Sequence, residues 1–263
     1  MEPGATIGSF TLAEQLGEGA TALVFRARDG ERDVALKLLR PEQARDPGRR
    51  ARFLREARVA AEVQGRHLVP VLEAGEADGQ PFLVLPLYPG SLAELLEPEP
   101  LAPPRAAALV TDVAAALDAL HARGLVHRDV KPSNVLIDTE DRAHLADFGL
   151  ATARDWTRLT RDGALVGTPH YVAPELIAGD PATPASDVYS LGCVAYHCLV
   201  GRPPFGGRSL LEVGYAHLAE EPPPPSLPAP LAEACLAALA KEPSARPPSA
   251  TAYALLLRTG ARS

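Results

Sequence analysis

Apolar residues in the first ninety positions recur with a period of two, and glycine-bearing turns cut them into short runs. FTLAEQLGEG from Phe10, TALVFRAR from Thr21 and DVALKLL from Asp33 each carry a strand-like stretch. HLVPVLEAGEADGQPFLVLPL from His67 adds two more around an Asp78-Gly79 turn. One segment departs from that period. DPGRRARFLREARVAAEVQG, from Asp46, places Phe53, Leu54, Ala57, Ala60 and Ala61 at helical spacing. YPGS, Tyr88 to Ser91, then brings turn chemistry suited to a hinge.

Beyond the hinge the period is that of helices. LAPPRAAALVTDVAAALDALHARG opens on prolines, keeps a long apolar face and ends at Gly124. DVYSLGCVAYHCLVG is apolar nearly all round, which predicts a buried helix. ACLAALAKEP and SATAYALLL predict two more. EEPPPPSLPAP, Glu220 to Pro230, reads as an extended connection. The pattern describes an α+β chain: a small β-rich lobe over 1–87 and a larger α-rich lobe over 88–263, with no internal repeat.

Composition narrows the classes. The 263 residues hold 46% apolar and 22% charged residues, ordinary for a globular domain. A net charge of −7 argues against a nucleic-acid partner. The arginines between Arg40 and Arg58 are interleaved with Glu42, Asp46 and Glu56, as on a solvated helix and its approach loop. Cys193, Cys198 and Cys235 lack metal-ligand spacing and read as small core residues in a reducing compartment. No apolar run reaches membrane-spanning length and no secretory signal opens the chain, so the expectation is a soluble, cytoplasmic protein.

Lysine is rare: only Lys37, Lys131 and Lys241 occur among 26 basic residues. Lys37 interrupts the apolar run VALKLL. Alternation puts Val34, Leu36 and Leu38 on one face and Ala35, Lys37 and Leu39 on the other. A lysine there either snorkels to solvent from an edge strand or enters a pocket that wants a point charge; the stretch alone favours snorkelling. LGEGATALV, Leu16 to Val24, sets two glycines at a turn whose backbone N–H groups can approach phosphate. It continues as a strand, unlike a Rossmann fingerprint, and lacks the Gly-Lys-Ser/Thr of a Walker A loop.

LVHRDVKPSNVLID, Leu125 to Asp138, and HLADFGLA, His144 to Ala151, decide the matter. With LGEGATALV, VALK, a Glu within FLREA, GTPHYVAPE, SDVYSLG and SARP in that order, the chain resembles the eukaryotic-type protein kinases over essentially its whole length. It looks most like the bacterial Hanks-type Ser/Thr kinases. The resemblance implies a bilobal fold, ATP and Mg2+ as cofactors, and protein serine or threonine hydroxyls as acceptors.

Residue roles follow from that resemblance. Lys37 pairs with the α- and β-phosphates and is held by Glu56, because a buried ammonium needs an opposite charge. Asp129 orients the substrate hydroxyl and accepts its proton, and Lys131 contacts the γ-phosphate. Asn134 and Asp147 are the magnesium ligands. Leu16, Gly17, Glu18, Gly19 and Ala20 form the phosphate flap, where Ala22 replaces a third glycine. The purine lies between the lobes among Val24, Ala35 and Leu136, with Leu85 at the back. Pro86 offers a carbonyl and Tyr88 both an N–H and a carbonyl.

Asp147 to Glu175 is the activation segment. Arg128 marks the class in which a loop phosphate pairs with arginine, and the expected autophosphorylation site is Thr160, with Thr157 second. Thr168 is expected to bridge Asp129 and Lys131. Glu175 with Arg246, and Asp187 capping the catalytic loop, are expected structural supports. A pseudokinase scaffold would lack one of Lys37, Asp129, Asn134 or Asp147, and all four are present. A small-molecule phosphotransferase would lack the protein-substrate platform of GTPHYVAPE. Family analogy also allows a homodimer through the small lobe.

Overall fold

In the computed structural model, which describes residues 2–19, 21–97, 99–147 and 169–262, the early alternating runs form one antiparallel six-stranded sheet. Its strands are β1 (Thr6–Ile7), β2 (Phe10–Glu18), β3 (Ala22–Asp29), β4 (Arg32–Leu39), β5 (Glu73–Ala77) and β6 (Gln80–Pro86). They lie in the order β1-β2-β3-β4-β6-β5. Asp78 and Gly79, with φ of 54° and 75°, make the turn between β5 and β6, where two left-handed residues match the strand twist.

The two faces of this sheet bury different things. Phe10, Leu12, Leu23, Phe25, Leu36, Leu38 and Phe82 pack together on one. On the other, Leu39 and Leu83 pack against Phe53 and Ala57 of a helix. Two helices lie in this part, α1 (Pro41–Ala44) and α2 (Pro47–Glu62). Asp46 caps α2 by accepting from the Gly48 and Arg49 N–H groups, and Pro47 fills the first turn, where its missing donor costs nothing. The exposed arginines nearby are solvated pairs: Arg40 with Glu18, and Arg50 with Glu76.

The later helices are α3 (Leu92–Leu96), α4 (Pro103–His121), α5 (Pro174–Ala178), α6 (Pro184–Val200), α7 (Leu210–Ala219), α8 (Ala229–Ala237) and α9 (Ala250–Gly260). A three-stranded sheet, β7 (Gly90–Ser91), β8 (Val135–Ile137) and β9 (Ala143–Leu145), lies among them. The helix α6 is buried at every position from Ser186 to Tyr196 and again at Cys198 and Leu199, as its all-round apolar sequence requires. Cys193, Cys198 and Cys235 are buried free thiols. The proline-rich connection is extended only to Pro228; Ala229 and Pro230 already open α8. Among the described residues, no helix is long and apolar enough to cross a membrane.

The chain divides into two compact units: Met1–Gln64 with Val69–Tyr88, and Gly65–Leu68 with Pro89–Ser263. The second unit thus takes back four residues that lie within the first in sequence. In the second unit, Gly192 of α6 has no room for a side chain. A Cβ there would stand 2.7 Å from Ala238 Cβ and 3.0 Å from Leu239 Cδ2. Gly192→Ala is expected to destabilise the fold by about 1–3 kcal/mol despite alanine's better helix propensity, lowering the urea midpoint. An unchanged or raised midpoint would contradict this packing.

Candidate active site

In the first unit, register decides which side chains share a face, since directly paired residues point the same way. Val24 pairs with Lys37, Lys37 with Leu83, and Ala35 with Leu85. Val24, Ala35, Lys37 and Leu85 therefore line one face of the sheet, the face on which α2 packs through Phe53 and Ala57. Lys37 is 8% exposed on an interior strand. The snorkelling expectation is corrected here: β4 has β3 on one side and β6 on the other, so no edge leads the ammonium outward. Glu56 is half-buried on α2, three residues after Phe53 and one before Ala57, next to the face that packs on the sheet.

The glycine turn ends β2. Gly17 and Glu18 pair with Val24 and Leu23, and Leu16 is exposed. The Gly19 N–H donates to Ala22 O at 2.8 Å; Ala20 lies outside the described residues. Arg40 donates through Nε to Gly19 O at 2.8 Å and pairs with Glu18. That guanidinium holds the Glu18 carboxyl below its ordinary range. Leu85, Pro86 and Tyr88 follow along β6 and just after it, all half-buried.

In the second unit a buried carboxylate organises the loop that runs from His127 to Asn134. Asp187 lies in the first turn of α6, where the helix dipole favours a negative charge. It is 1% exposed and accepts from the His127 N–H and the Arg128 N–H, each at 2.8 Å. His121, at the end of α4, meets it through Nε2 at 2.8 Å. Three donors thus compensate a desolvated charge. His127 is wholly buried. Its Nδ1 accepts from the Asp129 N–H at 3.2 Å, so Nε2 carries the hydrogen given to Ala146 O at 2.9 Å.

Arg128 takes φ of +72°, an uncommon conformation for a residue with a Cβ. Its Nε is buried with no hydrogen-bond partner among the described residues. The turn delivers Asp129, whose Oδ2 accepts from Lys131 Nζ at 2.7 Å and Asn134 Nδ2 at 3.0 Å. Asn134 Nδ2 also donates to Asp129 O at 2.8 Å. Both of these donors reach Oδ2, and neither reaches Oδ1. Asn134 spends its N–H bonds on Asp129, which leaves its amide oxygen, a hard donor suited to magnesium. Ala146 N–H donates to Asn134 O at 2.8 Å, and the next residue, Asp147, takes φ of +64°. Leu136 is half-buried on β8, opposite His144.

The third constellation is an ion pair. Arg246 NH1 and NH2 reach Glu175 Oε1 and Oε2 at 2.7 and 2.8 Å. The remaining guanidinium donors go to the carbonyls of Ala240, Ala185 and Lys241, and the group lies 4.9 Å from the Tyr189 ring centre. Thr157, Thr160 and Thr168 lie outside the described residues, as do Phe148 and Gly149. Sequence reasoning did not single out His121 or the Ala146 carbonyl. A histidine closing an amphipathic helix carries no signal of its own.

Three comparisons bear on this geometry. The family model described as "Protein kinase domain" matches residues 10–254. The serine/threonine-protein kinase PknE of Mycobacterium tuberculosis is 44% identical over 227 residues, covering 85% of this chain and 40% of that protein. PknD of the same species is 41% identical over 253 residues, covering 92% and 38%. A crystal structure of the Mycobacterium tuberculosis PknI kinase domain superimposes with a TM-score of 0.74 at 33% identity, covering 99% of both chains. The chain thus spans about 40% of the length of the curated relatives.

The Glu175–Arg246 pair sets an acid limit on stability. Burial pushes the Glu175 carboxyl up, but hydrogen bonds from Arg246 and Ser186 and the guanidinium's attraction outweigh it, and the group lies below the ordinary glutamate value. A depressed folded-state value means the pair's contribution is complete above the unfolded glutamate pKa. It is lost as pH falls through the folded one. Arg246→Met is expected to cost about 3–5 kcal/mol at neutral pH, because it strands a buried carboxylate. Glu175→Gln is expected to flatten the acid limb of the stability curve in urea titrations between pH 3 and 7. An acid limb with wild-type slope in Glu175→Gln would contradict the assignment.

Proposed function

The chain belongs to the protein kinase family, and from that premise we propose that it is an ATP-dependent serine/threonine protein kinase. It transfers the γ-phosphoryl group of ATP to protein hydroxyls. The observation that carries this reading is Asp129, whose Oδ2 is clamped by Lys131 and Asn134, with no bond to Oδ1 among the described residues. A scaffold that only bound nucleotide would have no use for a carboxylate presented in this way.

The proposed catalytic domain has a small lobe over 1–87 and a large lobe over 88–263. The purine packs on the aliphatic face of Val24, Ala35 and Leu85 and against Leu136. Pro86 contributes its carbonyl and Tyr88 its N–H; proline's missing donor is not called for. Lys37 takes the α- and β-phosphates, with Glu56 as its counter-charge, and the flap from Leu16 to Ala20 covers them with backbone N–H groups.

Asn134 and Asp147 supply one amide oxygen and one carboxylate for Mg2+, a set that suits an ion keeping several waters. Bound there, the ion neutralises phosphate charge that would repel the acceptor. Asp129 Oδ1 accepts the hydrogen bond of the substrate serine or threonine hydroxyl and aligns its oxygen with the γ-phosphorus. Because an alcohol is a weak acid, the carboxylate acts first by positioning and takes the proton as the bond to phosphorus forms. Lys131 meets the γ-phosphoryl charge while holding Asp129 in place.

Regulation fits the same reading. Arg128 Nε, buried and without a partner among the described residues, suits a phosphate on the activation segment, proposed at Thr160 and secondarily at Thr157. Thr168 bridges Asp129 and Lys131. The buried thiols suit a reducing, cytoplasmic compartment. No nucleic-acid partner is proposed, and a homodimer through the first unit is proposed on family analogy alone.

Asp129→Asn is expected to lower phosphate transfer to a generic protein substrate by about 10²–10⁴-fold while retaining nucleotide binding. Wild-type transfer by this variant would refute the role. Phosphopeptide mapping after incubation with ATP and Mg2+ is expected to find Thr160 modified. A loop without phosphate would refute that assignment.

A further inference from the structure

We propose that His67 is a positioning residue for the metal ligand Asp147, acting by tethering the segment Gly65–Leu68 to strand β9. The inference rests on the kinase reading above. It starts from a topological fact: the first unit is interrupted, and Gly65–Leu68 belongs to the second.

Several independent features fix this segment. His67 takes φ of +66°, a left-handed conformation uncommon for a residue with a Cβ. Its carbonyl accepts from the Leu145 N–H at 2.8 Å, and Leu68 forms a parallel bridge with Leu145. Its Nδ1 donates to Ala143 O at 3.0 Å. Gly65 lies so close to α4 that a Cβ would meet Leu68 Cδ1 at 2.9 Å and Ala119 Cβ at 3.4 Å. The imidazole is 8% exposed, and its Nε2 faces Asp112 Oδ1 at 3.5 Å. Asp112 is itself buried and forked by Arg142 through Nε at 2.8 Å and NH2 at 2.5 Å, and it accepts from the Ala143 N–H at 3.1 Å.

The consequence runs along β9. His67 grips both ends of this three-residue strand, Ala143 through its ring and Leu145 through its backbone. The next residue, Ala146, is held by His127 Nε2 on its carbonyl and by Asn134 O on its N–H. Asp147 follows directly, in its own left-handed conformation. The metal ligand thus hangs on a strand whose two fixed ends are His67 and the catalytic loop. On the other side of the tether, only Val63 and Gln64 separate the segment from the last residue of α2, the helix that carries Glu56.

The test compares His67→Gly, which removes the ring and is at ease at positive φ, with His67→Asn, which tolerates that φ and keeps an amide donor for Ala143 O. Calorimetric binding of Mg2+–ADP is measured beside phosphate transfer to a generic protein substrate. His67→Gly is expected to weaken Mg2+–ADP binding about tenfold, the effect of one lost anchoring bond, and to raise the half-saturating Mg2+ concentration similarly. The KM for the protein substrate is expected to stay the same, and His67→Asn to recover to within about threefold. A merely structural role would lower the active fraction and leave the Mg2+ and nucleotide dependence unchanged. Wild-type Mg2+–ADP affinity in His67→Gly would therefore overturn the proposal, and so would equal impairment of both variants. Absence of transfer by the wild-type chain with intact Mg2+–ADP binding would strike the kinase reading alone. Absence of binding by the wild-type chain would overturn both.

Discussion

One buried carboxylate organises the chemistry of the second unit. Asp187 cannot be solvated, so its charge must be met by donors, and those available are the backbone N–H groups of His127 and Arg128 and the ring of His121. Satisfying it bends the chain into the left-handed turn at Arg128, and that turn aims Asp129 toward Lys131 and Asn134. Remove the acceptor and two backbone donors are orphaned in the interior while a strained residue loses what holds it.

The chain's use of cations follows from the same demand for geometry. Arginine stands where a fork is needed, as in Arg246 on Glu175 and Arg142 on Asp112. Lysine is kept for three places that take a point charge. Lys37 is buried in the sheet, Lys131 rests on Asp129, and Lys241 gives its ammonium to the carbonyls of Ala216 and His217 at the end of α7. The first two are the lysines proposed above to meet phosphate, and the third sits at a helix terminus, where the dipole favours a cation.

Much of this was legible in the residues. Alternation and glycine-bearing turns located β2, β3, β4 and β6, helical spacing located α2 and α4, and an all-round apolar run located α6, which is buried on every side. Short elements escaped. The helix α3 is five residues held by a Ser91–Glu94 capping box, and α1 is a single turn. Helix α7 escaped for another reason: Leu211 and Tyr215 are exposed, at 78% and 63%, so its apolar residues do not mark its buried side. At the site, linear motifs named Lys37, Asp129, Asn134 and Asp147. They could not name His67, His121 or Asp112, whose importance comes from partners 76, 66 and 30 residues away in the chain. Taken alone, VALKLL favoured a snorkelling Lys37 and only the other motifs reassigned it, because strand order, which decides whether β4 is an edge, is not written in β4 itself.

A desolvated acceptor, Asp187, shapes the loop from His127 to Asn134 that is proposed to carry out transfer. Asp187→Asn tests it directly, since the amide keeps the size of the side chain but replaces one accepting oxygen with a donor. Steady-state transfer from radiolabelled ATP to a generic protein substrate, with Mg2+ present, is the measurement. The expected result is a fall in kcat of about tenfold or more with nucleotide affinity retained. A kcat equal to that of the wild-type chain would contradict the account.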